Sequence, residues 1–153
     1  FDQGQCIEMR AVLGQGPQAF ARARKALQGY AMFPASLMQP LIQPPGPLKA
    51  GSTVVKWVRF GLLDFEIANR IDKVWSQPRR HGFALRSLEG HLEQGVETFE
   101  LRWHKKGEVE LCLLSYSRPK HWLPRLFSAW TAHTQRKALK ACFAEMKRVV
   151  DAA

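Results

Sequence analysis

Apolar and polar residues alternate from the start of the chain. Ile7, Met9, Ala11 and Leu13 fall on every second position, which predicts a strand over 5–13. Gly14-Gln15-Gly16 ends that period. Pro17 suits the first turn of a helix, where its missing N–H costs nothing. Phe20, Ala23, Leu27 and Tyr30 then recur at helical spacing, so a helix is predicted over 17–30 with Arg22, Arg24, Lys25 and Gln28 toward water. Residues 34–47 hold five of the nine prolines, against a long helix or a central strand. A short helical turn fits near 35–39. Met32, Phe33, Leu37, Met38, Leu41 and Ile42 mark this stretch as packed on the body of the protein rather than a free linker.

From Ser52 to Ser117 the pattern is that of strands. Residues 54–60 are β-branched and aromatic, and 65–75 and 82–88 are further extended candidates. The clearest period lies at 98–103, where Phe99, Leu101 and Trp103 oppose Thr98, Glu100 and Arg102. His104-Lys105-Lys106-Gly107 makes the turn and 108–116 returns, predicting an antiparallel hairpin with one buried face. Pro119 and Pro124 close the strand region. A long helix follows over 123–150, its stripe formed by Leu126, Phe127, Trp130, Leu139, Cys142, Phe143, Met146, Val149 and Val150. At 1.5 Å per residue it spans roughly 40 Å, enough to cross a sheet.

The expected fold class is α+β: a curved antiparallel sheet gripping one long C-terminal helix, with a short N-terminal helix and a Pro-rich segment. The 153 residues are expected to form a single domain, with six or so strands. Hydrophobic residues at 46% and charged residues at 24% describe a globular chain rather than a disordered one. No apolar run approaches the ~20 residues of a membrane helix, and Phe1 opens no signal-like stretch. Cys6, Cys112 and Cys142 lie far apart without CxxC spacing, which argues for free thiols in a reducing compartment, the cytoplasm.

The net charge of +10 is uneven. Residues 118–150 carry eight lysines and arginines against one acid, Glu145. Within them Arg136, Lys137, Lys140, Lys147 and Arg148 form a candidate surface for an anionic membrane or nucleic acid, or simply a solvated helix face. The histidines show no metal-ligand spacing and there is no phosphate loop, dinucleotide fingerprint or nucleophile elbow, so no metal and no cofactor are expected.

A sheet covered by one long helix looks like the helix-grip fold of START and plant-allergen-like proteins, which often leaves an apolar cavity between the two layers. Shorter motifs carry a closer resemblance. Met32-Phe33-Pro34-Ala35, Arg80-His81-Gly82-Phe83-Ala84, Leu88-Glu89-Gly90-His91, Gly95-Val96-Glu97-Thr98-Phe99, Ser117-Arg118-Pro119 and Gln135-Arg136 follow one another in order. In that order they resemble the uncharacterised family known as domain of unknown function 1990, over about 14–150. The family commonly has a Tyr where this chain has Leu85, a small residue where it has Arg86, and often a second Gly-Glu pair where it has Gly95-Val96-Glu97. The resemblance implies a fold and promises no activity.

Candidate chemistry centres on His91 with Glu93 or Glu97, on a Gly-bounded segment between strands. A histidine there suits proton transfer near neutral pH, or it fixes the loop. Arg80 and Arg118 at strand ends suit a carboxylate or phosphate, or a salt bridge that ties those ends. Trp57 and Trp75 suit an apolar pocket, or plain core. Three functions are compatible with this: a binding protein for a small apolar or amphipathic ligand, an interaction module for anionic surfaces, and a hydrolase or isomerase using His91 and Glu97. Whether the chain is an enzyme, and its oligomeric state, stay open at this level.

Overall fold

The computed structural model describes residues 4–60, 62–88, 93–119 and 125–152, with the backbone alone at 60, 63, 93, 119 and 125–132. Strand β1 (Gln5–Gln15) leads into helix α1 (Gly16–Gln28). Strands β2 (Met38–Ile42), β3 (Thr53–Phe60), β4 (Leu63–Gln77), β5 (Arg80–Ser87), β6 (Glu93–Trp103) and β7 (Glu108–Pro119) follow, then helix α2 (Arg125–Asp151). The seven strands form one antiparallel sheet in the order β1-β7-β6-β5-β4-β3-β2. The chain thus runs as a meander from β2 to β7, and β1 completes the far edge against β7. Register shifts at Val12/Gly14, Pro40/Ile42 and Ile71/Lys73 mark bulges, which bend a sheet.

The expected hairpin is present as β6 and β7 and extends further than its apolar period. Strand β6 pairs with β7 from Glu93, and Gly95 within it lies tight against that strand: a Cβ there would meet the Tyr116 carbonyl oxygen at 2.4 Å. The Pro-rich segment departs more from expectation. The turn is there, with the amides of Leu37 and Met38 both donating to the Pro34 carbonyl. It then becomes a strand at Met38–Ile42, pairing with β3. Pro40 is tolerated because β2 is an edge strand and its register shifts just after that residue.

Alternation sorts side chains onto two faces. The inner face carries Ile7, Val54, Val58, Ile67, Ile71, Phe83, Leu85, Phe99, Leu101, Leu111 and Leu113, all buried. Helix α1 covers one end of it. Phe20 stacks on Trp103 at 5.7 Å, Tyr30 tilts over Phe83 at 6.0 Å, and Phe83 stacks on Phe99 at 5.1 Å. Helix α2 contributes Leu139, Cys142, Met146 and Val150 to the same core. Its C-terminal end is tied down twice: Lys147 Nζ donates to the Leu13 carbonyl at 3.0 Å, and Arg22 Nη1 to the Val150 carbonyl at 3.0 Å.

Helix α1 ends in an unusual cap. Tyr30 adopts φ +57°, and the Ala31 amide donates back to the Ala26 carbonyl. Glycine normally takes such a left-handed position. Here a tyrosine takes it, and its ring is buried among the inner-face aromatics.

Candidate functional site

The inner face is not apolar throughout. Toward the β5–β6 end the same alternation that delivers phenylalanines and leucines delivers Lys56, Asn69, Ser87, Glu97, Ser115 and Ser117. Neighbouring strands bring them together. Asn69 pairs with Ser87, and also with Val54 beside Lys56; Glu97 pairs with Ser115. From the covering helix, Gln135 Nε2 donates to Ser117 Oγ at 3.1 Å.

A cavity of about 70 Å³ lies between this polar patch and α2. Lys56, Asn69, Glu97, Ser115 and Gln135 line its polar side; Phe33, Met38, Val58, Ile67, Ala138 and Leu139 line the rest. A void of about 20 Å³ shares Asn69, Glu97, Ser115 and Gln135 with it. The larger space holds a few heavy atoms or several waters.

Lys56 is 3% exposed. Its Nζ donates to the Tyr30 hydroxyl and lies 4.9 Å from that ring's centroid. Burial lowers the Lys56 amine to about 8, and the Glu97 charge opposes the shift. Burial also raises the Tyr30 hydroxyl well above its ordinary value, with Glu97 acting in the same direction. Asn69 is 3% exposed and its Nδ2 has no hydrogen-bond partner among the described residues. A buried amide donor without an acceptor costs about 1–3 kcal/mol. The cavity therefore presents an amine, a vacant N–H donor and a carboxylate within one small space.

The residues singled out from sequence divide between the two faces. Glu97 lies in the cavity. His91 lies outside the described residues. Arg80 and Trp75 sit on the opposite face, where both donate to Glu100 at 2.8 Å. Trp57 is half-buried on that outer face beneath the Arg59 guanidinium, 5.0 Å from its ring. Arg118 is exposed, with Nη2 donating to Gln94 at 3.2 Å. It borders an open surface trough of about 480 Å³ with Arg86 and Tyr116, too shallow to desolvate a ligand.

The basic helix face is narrower than its sequence suggests. Lys147 pairs with Asp151 and Arg148 with Glu145. Arg136, Lys137 and Lys140 are exposed, and no ion pair engages them among the described residues. Cys6 is exposed, Cys112 half-buried and Cys142 buried; all are free thiols. No described helix is long and apolar enough to cross a membrane.

Sequence reading missed Lys56, Asn69 and Tyr30. Two signals point to the first pair. Asn69 interrupts the inward series Phe65, Ile67, Ile71, and Lys56 interrupts Val54, Val58. A polar residue on an apolar parity is the mark of a buried polar site.

Solved structures share this architecture. A hypothetical protein from Helicobacter pylori, jhp0584, superposes with a TM-score of 0.68 at 10% identity, covering 96% of this chain and 87% of that one. The major latex-like protein 151 of Panax ginseng gives 0.65 at 12% identity, covering 96% and 97%. These likenesses establish the helix-grip fold. Among curated sequences, a UPF0548 protein of Deinococcus radiodurans is 30% identical over 86% of this chain and 71% of its own. The Arabidopsis thaliana UPF0548 protein At2g17695 is 27% identical over 74% of this chain, which spans 58% of that relative's length. The family model described as "Domain of unknown function (DUF1990)" matches residues 3–145, taking in β1 through most of α2 and every polar residue of the cavity, so the chain belongs to that family.

Proposed function

We propose that this chain is a small-molecule-binding domain whose ligand sits between the sheet and α2, its polar end held by Lys56, Asn69 and Glu97. One observation carries the reading: a donor on Asn69, nine-tenths and more buried, faces a cavity and has no partner among the described residues. A ligand oxygen in the cavity satisfies that donor. The apolar remainder of the lining, from Phe33 and Met38 to Leu139, suits an amphipathic ligand rather than a fully polar one. The cavity volume limits what is held inside to a few heavy atoms.

The test is a thermal-shift screen of short-chain alcohols, amides, aldehydes and acids against the wild type and Asn69→Leu. A subset of compounds with an oxygen acceptor is expected to raise the melting temperature of the wild type and to lose that effect in Asn69→Leu. If no compound shifts the wild type, or if Asn69→Leu responds equally, the reading fails.

A further inference from the structure

The chemistry of Lys56 points beyond simple holding. Its position is fixed by the sheet, between inward Val54 and Val58, at 0% and 1% exposure. In register it faces Pro40 on one side and Ile67 on the other. No ion pair neutralises it among the described residues, and its hydrogen bond goes to a neutral hydroxyl, that of Tyr30. The vacant Asn69 donor lines the same cavity.

An amine and an unused N–H donor around one small space match a carbonyl group. Its oxygen accepts from the amide, and its carbon is the electrophile an amine attacks. An anion matches less well, because the Glu97 carboxylate shares the lining and its charge reaches Lys56, Tyr30 and Cys142. We propose that Lys56 captures the carbonyl carbon of a small aldehyde or ketone as an imine, with Asn69 holding the carbonyl oxygen. This deepens the binding reading and rests on it.

The step balances without a redox partner. The neutral amine of Lys56 forms a C–N bond as the carbonyl π pair moves to oxygen. The added nitrogen loses a proton and the oxygen gains one, giving a carbinolamine. A second proton, taken up from solvent by Glu97, then goes to the hydroxyl, which departs as water while the nitrogen lone pair makes the C=N bond; the iminium nitrogen returns its remaining proton to Glu97, leaving the imine. Glu97 lines the cavity as a proton carrier for both transfers, and the Tyr30 hydroxyl keeps the amine oriented. The lowered Lys56 amine supports this, since near neutral pH a usable share of it is unprotonated.

The experiment uses butanal as the probe with sodium cyanoborohydride, followed by peptide mapping of the intact chain. Lys56 is expected to be alkylated at least about tenfold faster than the other lysines, because more of it is neutral. That fast phase is expected to vanish in Lys56→Met and to slow in Asn69→Leu. Modification of surface lysines alone, at the same rate in wild type and Lys56→Met, overturns the inference. A parallel thermal shift with butan-1-ol separates the two readings. If butan-1-ol stabilises the wild type and butanal leaves Lys56 unmodified, imine capture fails and binding stands. If butan-1-ol and butanal both leave melting unchanged and Lys56 unmodified, both fail. Mapping on the wild type alone decides the matter should Lys56→Met not fold.

Discussion

Glu100 and Lys56 are buried on opposite faces of this sheet and are treated in opposite ways. Glu100 on the outer face is 5% exposed and accepts from Arg80, Arg102 and the Trp75 indole. Lys56 on the inner face is buried as deeply, donates to one neutral hydroxyl and looks onto a cavity. The outer cluster is saturated: two guanidiniums and an indole use both oxygens of its carboxylate. Burial pushes the Glu100 carboxyl up, but the hydrogen bonds from Arg102 and Arg80 outweigh it and hold the group below its ordinary value. The inner cluster leaves its amine shifted and an amide unused. The outer carboxylate is completed by its neighbours, whereas the inner pair faces a cavity with a donor unused.

Substitutions can break that contrast, the largest effect first. The Trp75 ring reaches Glu100 by lying across Gly82, where a Cβ would meet the Phe99 carbonyl oxygen at 2.5 Å and the indole at 2.7 Å. Gly82→Ala forces backbone or indole to move and is expected to cost about 3 kcal/mol in urea denaturation. Glu100→Gln removes the charge that both arginines use. Those arginines are a third to half exposed, so water takes over part of the loss, and about 2 kcal/mol is expected. Its effect should shrink in acid. A carboxyl held low in the folded state stabilises above the unfolded value and loses that contribution as pH falls through the folded one.

Lys56 is expected to behave with the opposite sign. Its folded-state value lies below the unfolded one, so the folded state binds fewer protons between about pH 8 and 10. Between about pH 7.5 and 9.5 the wild type should therefore gain up to about 2 kcal/mol of stability relative to Lys56→Met. Tyr30, raised in the folded state, opposes this as pH approaches its ordinary value, and the Cys112 and Cys142 thiols, raised by burial, oppose it within the window, in the wild type and Lys56→Met alike. At neutral pH Lys56→Met should be neutral or stabilise by about 1 kcal/mol, and Asn69→Leu by about 1 kcal/mol or less. Destabilisation of 2 kcal/mol or more by either, comparable to about that of Glu100→Gln, would make the inner cluster as structural as the outer one.

Much of the fold was legible because its rules are local. Alternation in Phe99, Leu101 and Trp103 and the turn before Glu108 specify the β6–β7 hairpin without tertiary knowledge. Strand β2 was not legible, because only the bulge and the edge position make Pro40 acceptable. The site was half legible. Glu97 continues the inward series of Phe99 and Leu101, so its direction follows from the period. Lys56 interrupts the parity of Val54 and Val58, but Val55 and Trp57 make the other parity apolar too, so the period alone does not say which one faces inward. Trp75 and Arg80 were read toward a pocket because aromatic and cationic residues suit ligands. The bulge between Ile71 and Lys73 shifts which positions of β4 face inward, and local sequence does not announce it.

The strand order carries a consequence for how the chain acquires this shape. Strands β2 to β7 pair with sequence neighbours, so each hairpin closes a short loop at small entropic cost. Strand β1 has no neighbour until β7 exists, and the two ties from α2, to Leu13 and from Arg22, come later still. On a ribosome β1 is thus made before β2 to β7 and paired after them. Ile7, Met9 and Leu13 wait beside an unfinished edge until the far end of the chain arrives, and that interval is when the protein is most open to association with other chains.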